Sequence, residues 1–372
     1  MNMRPDDERL EKSLETQLDE FPCSSCGSVL RYAPGQDSLV CHHCGFSNQI
    51  EQDPGAELKE NDLWETLNDL ADKHEEEVVH ALSCQACAAT FTAQVGSSSE
   101  TCPFCGTAVV LNPYELRQLK PDGVLPFAID KEQAKTAGET WRRGLFFAPA
   151  KFKNFGREEG GLKGMYLPFW TFDAQTDNRY TGQRGINYTT TIGSGKNRRT
   201  VTRTRWRPVS GRIWHFFDDI LIWAGRNVPE PIIKRFQARW NLHDMVPYNP
   251  KYLVGMEAQA YNLTLEGGHS LAKEEIRERV RALVRKDIGG DKQRIHTLDI
   301  KYSDETFKLA LLPIWISALS YQGKTYTFIV NGRTGEVRGE RPLSWLKVAL
   351  VTLLGLIVAG VAIALFAAAE GY

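Results

Sequence analysis

The 372-residue sequence has no cysteine after position 105 and no uninterrupted apolar stretch near its start. A secretory leader needs such a stretch, so MNMRPDDERLEKSLETQLDE reads as an acidic tail and predicts a chain whose body stays in a reducing compartment. Also missing are H-E-x-x-H, G-x-S-x-G and a G-x-G-x-x-G following a strand, the signatures of common metalloprotease, hydrolase and dinucleotide sites. The loop Gly193-Ser194-Gly195-Lys196 is no phosphate loop, because that chemistry needs glycine at Thr190 and serine or threonine at Asn197. His74, His215, His243, His269 and His296 are scattered with no visible acid partner, and a loop or cap explains Asp218-Asp219 without metal. The expectation is a protein with no catalytic residues and no small-molecule substrate.

A net charge of −1 hides a strong asymmetry. Residues 1–120 hold 8 basic and 21 acidic side chains, against 37 and 25 in the remainder. The front is therefore acidic and the body basic, which suits anionic lipid, nucleic acid or an acidic protein surface. One long apolar run is present: the 22 residues Val348 to Ala369 lie between Lys347 and Glu370 without a charge. As a helix this run reaches about 33 Å, enough to cross a hydrocarbon core. Arg333, Arg338, Arg341 and Lys347 precede it and no Lys or Arg follows, so the positive-inside bias predicts a tail-anchored, single-pass protein of the inner membrane with its N-terminal body in the cytoplasm.

The eight cysteines form four C-x-x-C pairs: Cys23/Cys26, Cys41/Cys44, Cys84/Cys87 and Cys102/Cys105. Each half reads C-x2-C-x14-C-x2-C, and the second half repeats the first at an offset of 61 residues. Two thiolates on one tight turn, with a second such turn brought back by a hairpin, complete a tetrahedron around zinc. Eight thiolates fill two closed sites, so both Zn2+ ions are expected to be structural. Gly27, Gly45 and Gly106 follow knuckle cysteines, and Ala88 takes that place in the fourth knuckle. His42, His43 and His80 lie near the quartets and read as surface residues. Between the ribbons, Leu63, Leu67, Leu70, Val78, Val79 and Leu82 mark an acidic amphipathic helix.

The body alternates strands and helices. A helix from Leu271 to Lys286 behind a Ser270 cap, a helix-like segment from Asp130 to Arg143 and a hairpin from Thr325 to Val337 are the clearest elements. Leu167-Pro168-Phe169-Trp170 and Leu312-Pro313-Ile314-Trp315 each follow a helix, suggesting two copies of a helix-plus-hairpin unit in which a proline starts a strand and its Trp fills the core. Arg179 to Arg212 is basic throughout. Arg198, Arg199, Arg203, Arg205 and Arg207 are the candidate anion ligands, and alternation puts the last three on one face of a strand, with Trp206 and Trp214 available to stack on bases or sit at a lipid interface.

The fold class is therefore α+β: two N-terminal four-cysteine zinc ribbons, a duplicated helix-plus-hairpin body and one C-terminal transmembrane helix. The expected boundaries are an acidic tail (1–20), a first ribbon (21–50), an acidic helical linker (51–81), a second ribbon (82–112), a cytoplasmic α+β domain (113–343) and the membrane helix (345–369).

The ribbons, RWRPVSGR from Arg205, FDDILIWAGR from Phe217, PYNPKYLVGMEAQAY from Pro247, LLPIW and VNGRTGEVRGERP, with the terminal span, resemble a family of bacterial membrane-anchored double zinc-ribbon proteins. Such proteins are often labelled transcription factor IIB-type zinc ribbon proteins, or relatives of primosomal protein N-prime and superfamily II helicases. A helicase needs a nucleotide loop and two motor domains, and neither is legible here. The resemblance implies companions among SPFH and phage-shock-protein-A-like membrane proteins, and zinc ligands matched cysteine by cysteine. The expected function is a cytoplasmic-face adaptor that uses its ribbons to recruit membrane-associated protein partners. The alternative is a membrane-tethered nucleic-acid-binding protein.

Overall fold

The computed structural model describes residues 21–51, 58–69, 76–92, 100–109, 113–154, 161–193, 195 and 198–370. The tail at 1–20, linker residues 52–57 and 70–75 (Leu70 among them), and Ser194, Lys196 and Asn197 of the glycine loop lie outside the described residues.

Three antiparallel strands dominate a nine-stranded sheet: β1 (Lys163–Ile192), β2 (Arg199–Trp223) and β3 (Lys292–Tyr321), in the order β2-β1-β3. With 30 residues each, β1 and β3 run for about 100 Å at roughly 3.3 Å per residue. A fourth strand, β4 (Lys324–Asn331), folds back along the end of β3.

Burial along β1 falls into three regimes that explain how the sheet is covered. Residues 164–174 are all buried, residues 175–182 alternate, and beyond Gly185 the strand is largely exposed. In the first regime side chains at alternate positions enter two different cores. Met165, Leu167 and Phe169 meet the second ribbon and helix α4 (Glu230–Gln237). Tyr166 meets the first ribbon and helix α2 (Lys131–Gly144) on the other face. From Trp170 into the second regime helix α5 (Leu265–Ile288) covers one face, packing Ala272, Ile276, Val280 and Val284 against Trp170, Phe172, Ala174 and Tyr180. Past the end of α5, marked by Gly289 at φ +64°, neither face has a cover among the described residues, and β1 and β2 project as a ribbon of their own.

The two LP-x-W segments pair with each other, Leu167 opposite Leu312. Trp170 and Trp315 are both buried, as expected, but neither proline starts a strand. Pro168 falls where β1 changes neighbour from Glu257–Ala258 to β2, and Pro313 where β3 changes from Gly123–Val124 to β4. A missing N–H is tolerated at such a gap in the ladder, while the carbonyls still accept from Ala224 and Gly332 at 3.0 Å each. The hairpins built on the two segments are unequal, with 25 residues in β2 and 8 in β4.

The other expected elements differ in extent. Helix α2 follows an Asp130/Gln133 capping box, close to the predicted segment. Helix α5 begins six residues before the predicted Leu271, because Thr264 and not Ser270 caps it; Thr264 Oγ1 accepts from the Gly267 N–H at 3.2 Å. Gly268 lets this first turn approach the Trp170 ring, where a Cβ would lie 2.7 Å from the indole. The Thr325 to Val337 hairpin is present, β4 pairing with Val337–Gly339. The acidic linker, by contrast, is not one helix. Its described helical part is α1 (Leu63–Asp69), whereas Val78, Val79 and Leu82 belong to a strand, Glu76–Ser83, paired with Tyr114–Leu119. Its acidic residues mimic a solvated helix face, but the strand partner lies over 30 residues away in sequence and is invisible to a local pattern.

The linker also docks. Asn61–Asp62 pairs with Thr306 and Phe307 of β3, Leu63 is fully buried, and the Asn61 amide donates to Asp122 at 2.7 Å. Trp64 donates to Glu305 at 3.1 Å, beside a buried His269–Glu305 contact of 2.7 Å. Burial pushes the Glu305 carboxyl up, yet His269, Lys273 and Trp64 outweigh it and hold it below the usual carboxylate range. Helix α6 (Trp345–Glu370) ends the described chain; its segment Trp345–Ile363 is long and apolar enough to cross a membrane, and none of it is buried.

Under α1 lies a second charge cluster. Lys308 contacts Glu60, Asp219 at 3.1 Å and Asp173 at 4.0 Å, so one ammonium serves three carboxylates. Burial, reinforced by repulsion from Glu60, pushes Asp173 up to about 7. Since the ordinary value is 3.8, the native chain keeps a proton there that the unfolded chain releases over that interval. The group thus favours the fold below the window, and its contribution is lost as pH rises through it. Asp173→Asn is expected to flatten the fall in stability between pH 4 and 7 by up to about 1.4 kcal/mol per pH unit relative to the parent, measured by urea unfolding in detergent. An identical slope in both proteins contradicts the assignment.

Candidate functional site: two metal centres and a basic strand

Four turns of one design build the two cysteine quartets. In each, the second residue after a knuckle pair closes on its first cysteine: the N–H groups of Cys23, Cys41, Cys84 and Cys102 donate to Ser28, Phe46, Ala89 and Thr107 at 2.7–2.9 Å. The residue after each pair donates back, Gly27 to Cys23, Gly45 to Cys41, Ala88 to Cys84 and Gly106 to Cys102, at 2.8–2.9 Å. This closure requires positive φ, which the three glycines adopt at +73° to +76° and Ala88 at +56°. Glycine adopts it freely, and Ala88 is the strained exception.

The sulfurs converge. Cys23–Cys44 and Cys26–Cys41 are both 3.6 Å apart, Cys84–Cys105 is 3.5 Å and Cys87–Cys102 is 3.7 Å. All four ligand atoms of each quartet lie within 4.8 Å of one another. Sulfurs on a tetrahedron with metal–sulfur bonds of about 2.3 Å are separated by roughly 3.8 Å, so the donors fit a metal ion that prefers four thiolates. The Cys44 backbone N–H chiefly brings Cys41 down to about 6. Burial pushes Cys105 up, but the Thr107 hydroxyl and N–H outweigh it and leave it at about 7. Cys41 and Cys105 are thus each shifted toward the thiolate form that a metal needs. Burial also raises Cys87, to about 11, so further protons must leave as a metal is bound.

Neither ribbon is a free module. Tyr32 of the first donates its N–H to Val254 at 2.9 Å and stacks edge-on to Tyr252 at 5.3 Å. The second is held by Asn227 donating to the Cys87 carbonyl at 2.6 Å, Thr327 to Phe104 at 2.9 Å and Lys163 to Thr101 at 2.7 Å. His42 and His43 are exposed, as expected. His80 is not a surface residue: it is buried on the Glu76–Ser83 strand, where it lines a cavity of about 220 Å³ against the first ribbon.

A third group with metal-ligand atoms in reach, Asp173, Asp218 and Asp219, contains two of the three carboxylates that Lys308 contacts. The acid partner of His269 escaped sequence reading because Glu305 lies 36 residues away across the α5–β3 packing. Trp64 and Phe172 rings sit against His269 at 5.6 and 5.8 Å, sealing that pair inside the fold.

The basic residues occupy the projecting part of the sheet. Arg203, Arg205 and Arg207 stand opposite Tyr188, Ile186 and Arg184 of β1, with the Arg205 guanidinium 5.4 Å from the Tyr188 ring centre. Arg199 begins β2 on the same side and Arg198 precedes the strand. All five candidate arginines are exposed. On the other face Arg294 covers Trp206 at 4.0 Å, and Arg212 covers the exposed Trp214 at 4.2 Å while forming a two-pronged pair with Asp177 at 2.6 Å. Through that pair the Arg212 guanidinium holds Asp177 below the usual carboxylate range. Arg199, Arg203 and Arg205 lie beyond the start of β3 at Lys292 and Arg207 lies level with it, whereas α6 leaves the body beside the end of β3 at Tyr321. Most of the length of β3 separates basic strand from apolar helix.

A curated protein of Bacillus subtilis (strain 168), described as uncharacterized protein YdjG, is 27% identical over 336 residues, covering 88% of this chain and 92% of that one. No protein-family model matches the chain. No solved structure matches it.

Because Cys84, Phe91 and Phe104 share a core with Met165, Leu167 and Ile316, losing the second quartet uncovers the central sheet itself. Cys84→Ser is expected to halve the metal content by mass spectrometry and to destabilise the whole body by about 4 kcal/mol or more, not one ribbon alone. A parent-like unfolding midpoint with half the metal contradicts the shared core.

Proposed function

We propose that this chain is a tail-anchored adaptor of the inner membrane, held by α6 with its body in the cytoplasm, and with no catalytic step of its own. Zinc fills both quartets as a structural ion, since four soft thiolates with no open position suit it. The ribbons act by clamping the two faces of the sheet. Recruitment of protein partners then falls to the projecting part of β1 and β2. The observation that carries this reading is a sheet about 100 Å long that, among the described residues, is covered on both faces near the anchor and on neither face at its basic, aromatic tip. Membrane-associated partners of the SPFH or phage-shock type are those the family resemblance offers. The same ladder break at both LP-x-W segments supports reading the body as a duplicated unit.

A second reading, a membrane-tethered nucleic-acid binder, is favoured by Arg205 over Tyr188 and Arg294 over Trp206, since cations beside aromatic rings suit stacked bases and phosphates. Cross-linked pull-down of the full chain from native membranes, beside the triple variant Arg203→Glu, Arg205→Glu, Arg207→Glu, separates the two. The adaptor reading expects membrane proteins in the parent eluate and their loss in the variant at unchanged metal content. Nucleic acid in the parent eluate, with recovery falling steeply as salt rises, establishes the second reading instead.

A further inference from the structure

The connection from α2 to helix α3 (Ala150–Asn154) touches the start of α6. The Ser344 N–H donates to the Phe147 carbonyl at 2.8 Å. Lys347 Nζ donates to the carbonyls of Phe146 and Ala148 at 3.1 and 2.9 Å, with its ammonium 5.9 Å from the Phe146 ring centre. Beneath this loop Leu145, Ala148, Phe152 and Tyr321 form a small core of their own, with Trp141 and Tyr326 packed against it. The loop is thereby fixed at both ends and from below, yet it holds Phe146 outward at 63% exposure.

The surroundings are cationic. Arg143 and Lys151 are exposed on either side of the loop, Arg341 is exposed shortly before α6, and Lys347 sits on the loop itself. Glu139 pairs with Arg143 at 3.1 Å, and Glu340 is the adjoining acid on the approach to α6. Leu343, Trp345 and Leu346 add large exposed apolar side chains at the same junction. An aromatic ring projected among lysines and arginines, next to an apolar helix, is the combination that settles at the boundary between headgroups and acyl chains.

We propose that the Leu145–Pro149 loop is a second membrane contact: Phe146 inserts at the headgroup boundary, and Arg143, Lys151 and Lys347 bind anionic phospholipid headgroups of the same leaflet. The proposal rests on the reading of α6 as a membrane span. The occupant is lipid because the loop is hydrogen-bonded to the first residues of that helix, so any bilayer around α6 lies against Phe146 as well. It also turns the basic strand away from the leaflet, since Arg203, Arg205 and Arg207 lie at the far end of β3.

The test uses the full chain in nanodiscs of equal phosphatidylcholine and phosphatidylglycerol, with p-benzoylphenylalanine replacing one residue at a time at Phe146, Leu356 in the helix, or Trp214 on the projecting sheet. Lipid adducts are read by mass spectrometry. The proposal expects adducts at Phe146 and Leu356 and none above background at Trp214. At Phe146, phosphatidylglycerol adducts should outnumber phosphatidylcholine adducts by about fivefold, and Arg143→Gln with Lys151→Gln should return the ratio to one. Adducts at Leu356 with background at Phe146 overturn the loop contact alone. Equal lipid yields at Phe146 overturn the headgroup site, and background at Leu356 overturns the span together with the proposal.

Discussion

The ladder between β1 and β3 is the constraint to which everything else answers. It runs from Lys163 opposite Ile316 to Gly185 opposite Lys292, and at one end it carries large apolar residues on both faces. A sheet apolar on both faces needs two covering layers. Helices α2, α4 and α5 supply part of them, and the cysteine-bound ribbons supply the rest, one on each face. The dependence is mutual, because units of about 30 residues cannot bury a sufficient core alone. Each ribbon therefore draws stability from the sheet it covers, and a metal held by its four cysteines would add to it.

What was legible in the sequence is what local chemistry dictates. Coordination geometry fixes cysteine spacing, so both quartets could be read; composition alone exposes α6; the Asp130/Gln133 capping box marks α2; and Asn331-Gly332 marks the turn after β4. Alternation also placed Arg203, Arg205 and Arg207 on one face. What stayed hidden depends on long-range pairing. The strand Glu76–Ser83 exists because Tyr114–Leu119 lies beside it, and its acidic residues imitate a solvated helix. The docking of ribbon to body rests on pairs such as Thr327 with Phe104 and Tyr32 with Val254, which no periodicity announces. Likewise, the polar outer half of β1 carries no strand signal of its own, since an uncovered strand has no apolar face to betray it.

Charge follows the same axis. The buried ions, Lys308 with its three carboxylates and Glu305 with His269 and Lys273, lie where the linker is stitched to the covered sheet. The linker's own share, Glu60 on Lys308 and Trp64 on Glu305, favours one docking register for α1, because a shifted linker gives up both contacts. Arg198, Arg199, Arg203, Arg205 and Arg207 gather where the described residues supply no cover. A stable, clamped end and an open, basic end are thus consequences of one long ladder that is covered over only part of its length.

In the proposed reading, metal holds the two ribbons onto the sheet as its covering layers. Amide hydrogen exchange of the full-length protein, with and without a thiol-competitive chelator, tests it most directly. Removing metal should speed exchange around the paired segments Met165–Phe169 and Ala310–Ile316 at least as much as in the ribbons, while leaving the projecting tip unchanged. Faster exchange confined to the ribbons, with the paired segments still protected, would show that the sheet stands without its metal-bound covers and would contradict the account.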